Sequence, residues 1–265
     1  MTAYRDAAGP PGLLICAGLD PSGGAGLIAD VQVAAQLGTR PVGVVTALTV
    51  QNTTGVVGSQ ALGPEMIREQ LELLLSDVEV RAVKIGMIGS SEVAAAIGEA
   101  LALTRAPVVW DPITYPSRGD VPLVDSLFGR ALQALKPHLT VLTPNARELA
   151  FLTQREELTA RGPAVLAARE LARQLDAAVL VKAGHLAETD AHDVLCTADG
   201  ITVIEGKRLE RGEDVHGTGC ALSTAIAAHL ARGAELADAC REAKAYVATR
   251  IAAPARPGRG AGSIV

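Results

Sequence analysis

Aromatic residues are nearly missing from this chain: one Trp, three Tyr and two Phe supply 2% of 265 residues. So few rings exclude modules that read single-stranded nucleic acid by stacking bases on side chains. They also leave the core to Ala, Val, Leu and Ile. Positive charge is in deficit, with 24 Lys and Arg against 29 Asp and Glu. No broad basic field exists for a polyanion, so a phosphorylated ligand has to be met by a local site. No apolar stretch approaches the roughly eighteen residues that a membrane helix requires. Cysteine is scarce and scattered: Cys16, Cys196, Cys220 and Cys240 include no Cys-x-x-Cys pair, and the five histidines show no metal-ligand spacing. A zinc site or a redox pair is therefore not expected, and a lone cysteine here reads first as a small buried hydrophobe. Residues 1–11 contain no cationic stretch running into a long apolar one, which points away from secretion. A cytoplasmic protein with no nucleic-acid and no membrane partner is the expectation.

What is present is a globular composition, 49% hydrophobic and 20% charged. Short apolar runs at 13–17, 42–50, 80–85, 107–110, 139–142 and 178–183 alternate with helical patterns at 26–37, 64–76, 92–103, 124–135 and 163–175. In the second helical pattern Met66, Ile67, Gln70, Leu71, Leu74 and Leu75 keep one mostly apolar face, while Glu65, Arg68, Glu69 and Glu72 stay wet. Continuous apolar strands alternating with amphipathic helices predict an α/β fold, a three-layer αβα sandwich with a mostly parallel central sheet. Ligands of such a sheet gather at the carboxyl ends of its strands. After Lys182 the rhythm changes. Strands at 193–197 and 201–204 flank Asp199-Gly200, a hairpin signal, and helices at 218–231 and 235–252 follow. No repeat and no long linker interrupts the chain, so one domain over 1–265 is expected, with 1–11 and 254–265 as loop.

Two glycine clusters stand at strand-to-helix turns. Gly18-Leu19-Asp20-Pro21-Ser22-Gly23-Gly24-Ala25-Gly26 follows the first strand and matches neither the dinucleotide fingerprint nor the P-loop. It reads either as a tight turn alone or as backbone brought close to a ligand. His216-Gly217-Thr218-Gly219-Cys220 opens a strongly apolar helix. Unpaired amides there form an anion site, and the helix dipole is expected to favour a Cys220 thiolate; the alternative is a buried small residue in a glycine-rich helix start. Asn145 with Glu148 three positions on reads as a helix cap or as a strand-end carboxylate ordering Mg²⁺ water. Lys182, before Ala183-Gly184-His185, ends a strand, and a lysine there can also simply snorkel to water.

Taken in order, these segments resemble the hydroxymethylpyrimidine/phosphomethylpyrimidine kinases of thiamine biosynthesis, within the ribokinase-like superfamily. The resemblance runs from Leu14 onward. It includes 17–26, 46–53, Lys84-Ile85-Gly86-Met87-Ile88-Gly89, Asp111-Pro112, Thr143-Pro144-Asn145 with Glu148, Lys182 to Leu186, and His216 to Cys220. It implies a ribokinase-like fold and a homodimeric kinase using ATP and Mg²⁺ without a Walker loop. The small-molecule acceptors would be an aminopyrimidine alcohol and its phosphate. By resemblance, Gly217, Thr218, Gly219 and Cys220 form the catalytic turn, with Cys220 where ribokinase relatives carry an aspartate base. Gln51, Asp20, Met87 and Gly18 would meet the acceptor, with Gln51 on the aminopyrimidine edge and Met87 on the ring. Asn145, Glu148, Lys182, Gly184 and Thr218 would meet the nucleotide, and Glu148 and Asp111 the metal. The chain departs from the family at Ile113, Thr114, Ser117, Arg118 and Gly119, at Ala183, and at Asp214-Val215. A pyridoxal kinase or a non-catalytic pyrimidine-binding regulator remain alternatives, since a shared fold alone does not fix function.

Overall fold

The computed structural model describes residues 9–115, 123, 128–209 and 215–265. Nine strands form one sheet in the order β3-β2-β1-β4-β5-β6-β7-β8-β9. They are β1 (Gly12–Leu19), β2 (Arg40–Asn52), β3 (Gly55–Ala61), β4 (Val80–Ile85), β5 (Val108–Trp110), β6 (Leu139–Leu142), β7 (Ala178–Val181), β8 (Asp193–Cys196) and β9 (Ile201–Ile204). From β2 to β7 every neighbouring pair is parallel. β3 is antiparallel to β2, and β8 and β9 turn antiparallel at the other side. This is the three-layer, mostly parallel arrangement that the alternating apolar runs predict.

The strands are apolar on both sides because both sides are covered. In β1, Leu14 and Cys16 join one core cluster while Leu13, Ile15 and Ala17 join the other, following the two-residue period of a strand. The first cluster is closed by α2 (Pro64–Asp77), α3 (Ser91–Leu101), α4 (Phe128–Leu135), α5 (Ala146–Leu152) and α6 (Arg161–Leu175). The second is closed by α1 (Gly26–Gln36), α7 (Thr218–Ala231) and α8 (Leu236–Ala252). α7 lies between the sheet and its neighbours and is buried on nearly every side, which explains its lack of a polar face.

The structure departs from the sequence reading at several elements. Strand β3 goes unread because residues 55–61 carry two glycines and a mixed polar pattern, and Val57 stands largely exposed on this sheet edge. α5 is read only as a cap and not as a helix. The reading of 254–265 as loop is corrected at its end. Gly262–Ser263 forms β11, paired with β10 (Val215–His216), and Ala261 to Ile264 are buried. Backbone pairing of this kind leaves no mark in a Gly- and Pro-rich composition. Residues 1–8, 124–127, Ser117, Arg118, Gly119 and Asp214 lie outside the described residues.

From β1 the chain steps to β2 on one side and later to β4 on the other. A switch of direction of this kind opens a crevice at the carboxyl ends of the two strands. β1 carries Gly18 and leads into Asp20 there, and β4 leads into Met87.

Candidate active site

The crevice is a cavity of about 1700 Å³ that takes in both glycine turns and the ends of the parallel strands. All of the sequence-predicted site residues line it: Gly18, Asp20, Gln51, Met87, Asp111, Asn145, Glu148, Lys182, Gly184, Gly217, Thr218, Gly219 and Cys220.

One end is apolar with a polar reader. Ala47, Val56, Met87 and Leu123 form a small separate core cluster with Ile113 packed on it. Met87 is held at this wall by the bare backbone of Gly18, where an added Cβ would stand 3.0 Å from its sulfur. Gln51 reaches the same end from β2, with its Nε2 3.0 Å from His216 Nε2. Val56 escapes a sequence reading because it sits on the unread strand β3. Ile113, a departure from the family pattern, is nonetheless an apolar wall residue.

Asp20 organises the first turn. Its carboxylate accepts from the amide and hydroxyl of Ser22 at 2.8 and 2.7 Å and from the Ala25 amide at 3.0 Å, and lies 3.3 Å from His216 Nε2. Burial pushes its carboxyl up, but the hydrogen bonds from His216 and Ser22 outweigh that and hold it below the usual range.

The second turn abuts the first. Gly217 caps α7 with φ of 83°, and a Cβ on it would collide with the Gly24 carbonyl oxygen. Both facts demand glycine. The first amide bonded back into α7 is that of Ala221, to the Gly217 carbonyl at 2.9 Å, so Thr218, Gly219 and Cys220 occupy the turn whose amides lack helical partners. The expected thiolate is not what this turn holds. Burial is the largest influence and, with Asp30 and Asp111, pushes the Cys220 thiol up to about 12 against the pull of Lys84 and the Gly26 amide. Burial outweighs the dipole here, although Cys220 still borders the cavity.

Charged groups converge beside Gly219. Lys182 Nζ donates to Asp111 Oδ1 at 2.7 Å and lies 3.8 Å from Glu148 Oε2. A Cβ on Gly219 would stand 3.3 Å from that ammonium and 3.4 Å from Asp111 Oδ2. Glu148 and Asn145 do form the capping box of α5: Asn145 Oδ1 accepts from the Glu148 amide at 2.9 Å and Glu148 Oε2 from the Asn145 amide at 2.7 Å. The cap fixes the carboxylate at the cavity wall, so the two readings of this pair are compatible. Burial raises the Glu148 carboxyl to about 7, with Lys182 drawing it down and Asp111 pushing it further up. Burial would lower the Lys182 ammonium, but Asp111 and Glu148 outweigh it and keep it charged.

Two buried carboxylates thus share one ammonium, a donor set short of positive charge. Among the described residues no group of three His, Cys, Asp or Glu could enclose a metal. Asp111 and Glu148 therefore suit a hard divalent ion such as Mg²⁺ that keeps water and substrate oxygens as its other ligands.

The loop after β7, which carries Gly184, is tied down by residues that sequence reasoning missed. The Arg208 guanidinium donates to the carbonyls of Ala183, Gly184 and Leu186, and Asp193 accepts from the Ala183 amide at 2.8 Å while bonding Lys244 at 2.7 Å. Nothing local in the sequence signals these ties.

Residues 20–265 match the family model for phosphomethylpyrimidine kinase. A hydroxymethylpyrimidine/phosphomethylpyrimidine kinase of Rhizobium meliloti is 38% identical over 253 residues, covering 95% of each chain. Among solved structures, the phosphomethylpyrimidine kinase of Clostridium difficile superposes with a TM-score of 0.76 at 32% identity, over 91% of this chain and 99% of that one. The pyridoxal kinase of Staphylococcus aureus in complex with ADP superposes with a TM-score of 0.85 at 26% identity, over 97% and 93%. A family match over residues 20–265, with a relative 38% identical across nearly the whole chain, shows that this chain belongs to the phosphomethylpyrimidine kinase family.

Proposed function

We propose that this protein transfers the γ-phosphoryl group of ATP to 4-amino-5-hydroxymethyl-2-methylpyrimidine and then to its monophosphate, the diphosphate serving thiamine biosynthesis. The observation that carries the reading is the division of one cavity. An apolar wall with Gln51 lies at one end, and the start of α7 lies at the other beside Lys182, Asp111 and Glu148.

The ring would lie on Met87 and Val56, with the Gln51 amide on its donor–acceptor edge. The amides of Thr218, Gly219 and Cys220 would receive the equatorial oxygens of the moving phosphoryl group, where charge spreads in a loose transition state. In the first transfer the acceptor oxygen bonds to phosphorus, the bond to the ADP oxygen breaks, and the hydroxyl proton passes late to an oxygen of the transferred phosphoryl group; in the second a phosphate oxygen of the monophosphate takes the hydroxyl's place. Lys182 would balance phosphate charge. Asp111 and Glu148 would hold Mg²⁺, which supplies charge neutralisation on the nucleotide phosphates. Catalysis of this kind needs positioning and charge more than covalent chemistry.

Pyridoxal phosphorylation is the second reading, because the Staphylococcus aureus pyridoxal kinase shares this fold closely. The higher identity to the pyrimidine kinase of Rhizobium meliloti favours the first. Substrate-dependent ADP release with MgATP tests both: kcat/KM should be higher for the aminopyrimidine alcohol than for pyridoxal. Absence of any pyrimidine monophosphate or diphosphate product would sink the first reading.

A further inference from the structure

Lys84 is fully buried at the end of β4, yet it borders the cavity floor. Its Nζ bonds Asp30 Oδ2 at 2.5 Å, and Asp30, also fully buried, accepts from Thr224 Oγ1 at 2.7 Å through its other oxygen. Asp30 stands four residues beyond Gly26 on α1, and Thr224 four beyond Cys220 on α7. The cluster therefore lies one helical turn beneath both glycine turns. Gly86 makes room for it: a Cβ there would stand 2.6 Å from the ammonium. A buried ion pair is a poor means of stabilisation, since an apolar pair of the same volume often does as well or better. Its position calls for another role.

We propose that Lys84 is a positioning residue for phosphoryl transfer, a fixed positive charge behind the α7 turn that acts on substrate only through Cys220 and the turn backbone. The proposal rests on the kinase reading above. Lys84 forms no bond and gives up no proton, so the balance of the transfer is unchanged. The charged or titratable groups facing it are Asp30 from α1, Cys16 from β1, Asp111 beyond β5 and Cys220 from α7. Burial would lower its ammonium, but Asp30, Cys220 and Asp111 raise it and keep it protonated. Among the side chains acting on the Cys220 thiol, Lys84 is the one that draws it down.

The single change Lys84→Met would leave Asp30 buried and unpaired, a costly state. The test therefore uses the double variant Lys84→Met/Asp30→Asn, with Thr224→Val as a charge-preserving control. In the double variant kcat should fall at least about tenfold while both KM values stay within about threefold, as expected for loss of charge stabilisation in the transition state. Alkylation of Cys220 by iodoacetamide in the ligand-free protein, followed by peptide mass, should slow, because the pull of Lys84 on the thiol exceeds the opposing push of Asp30 that is removed with it. Thr224→Val should keep both properties near wild type. A double variant that keeps either kcat or the alkylation rate overturns the proposal. So does one that no longer folds, or a Thr224→Val that loses as much activity, since the cluster would then be structural. If the wild-type protein phosphorylates no acceptor, the kinase reading fails, and the alkylation comparison still decides the effect of Lys84.

Discussion

Gln51 Nε2 and His216 Nε2 stand 3.0 Å apart, although 165 residues separate them in sequence. An amide nitrogen only donates, so the imidazole nitrogen has to accept, and a ring nitrogen that accepts cannot also donate to Asp20 Oδ2 at 3.3 Å. With the amide turned over, the Gln51 oxygen faces the ring and His216 Nε2–H is the donor, in agreement with the hydrogen bond from His216 that lowers Asp20. Gln51, at the apolar end of the cavity, is thereby joined to the first residue of the α7 turn and to the organiser of the other turn.

Gln51→Ala removes the polar reader from an otherwise apolar wall. The acceptor's amino edge would then enter the cavity unpaired, and kcat/KM for the aminopyrimidine alcohol should fall by about 1–3 kcal/mol in transition-state stabilisation. The KM for ATP should hold. Equal kcat/KM in wild type and variant would place the ring elsewhere in the cavity.

Gly219 and Gly24 should separate by kinetics. Side-chain volume at Gly219 would meet Lys182 and Asp111 in the space assigned to phosphate, so Gly219→Val should abolish turnover while thermal unfolding stays near wild type. At Gly24 an added Cβ meets His216 Cδ2 at 3.0 Å. Gly24→Val should therefore raise the acceptor KM first. Normal turnover by Gly219→Val removes the anion site from the start of α7.

All four cysteines should behave as thiols. Burial raises Cys16, Cys220 and Cys240 to about 12 and Cys196 to about 11. Alkylation of Cys220 should accelerate about tenfold per pH unit between pH 7 and 9 with no plateau, because the reactive thiolate is a trace species throughout that range. A plateau below pH 9 would show an active-site thiolate after all.

How far the sequence was legible follows from where each signal resides. β1 is apolar on both faces, so its run stands out against the helices. The α7 turn is legible because Gly217 answers two local demands, a positive φ and a close approach of Gly24. Lys84 with Asp30, His216 with Gln51, and Ser263 with His216 are pairings between segments far apart in the chain. No single segment contains both partners, so no periodicity reveals them. Val56 was lost with β3, whose edge position relaxes the alternation that marks a strand. Burial decided the state of Cys220, and burial is a property of the packed chain rather than of a motif.

Glu148 ties the site to stability. Its carboxyl is moved from 4.5 to about 7, chiefly by burial, with Lys182 opposing and Asp111 reinforcing the rise. The folded protein thus holds this proton more tightly than the unfolded chain does. The associated stability is fully present below about pH 4.5 and is lost as pH rises through about 7. A shift of that size corresponds to a ceiling of about 3 kcal/mol. Glu148→Gln keeps the shape and the carbonyl that accepts from Asn145, but carries no charge at any pH. The difference in Tm between variant and wild type should therefore be more positive at pH 8 than at pH 5, by several degrees on the scale of about 2–4 °C per kcal/mol. At pH 8 added Mg²⁺ should raise the wild-type Tm and leave Glu148→Gln less affected, because a bound cation relieves the same charge. Identical Tm differences at the two pH values would mean that Glu148 ionises freely in the folded protein, and the strained carboxylate beside Lys182 would lose its part in holding the metal.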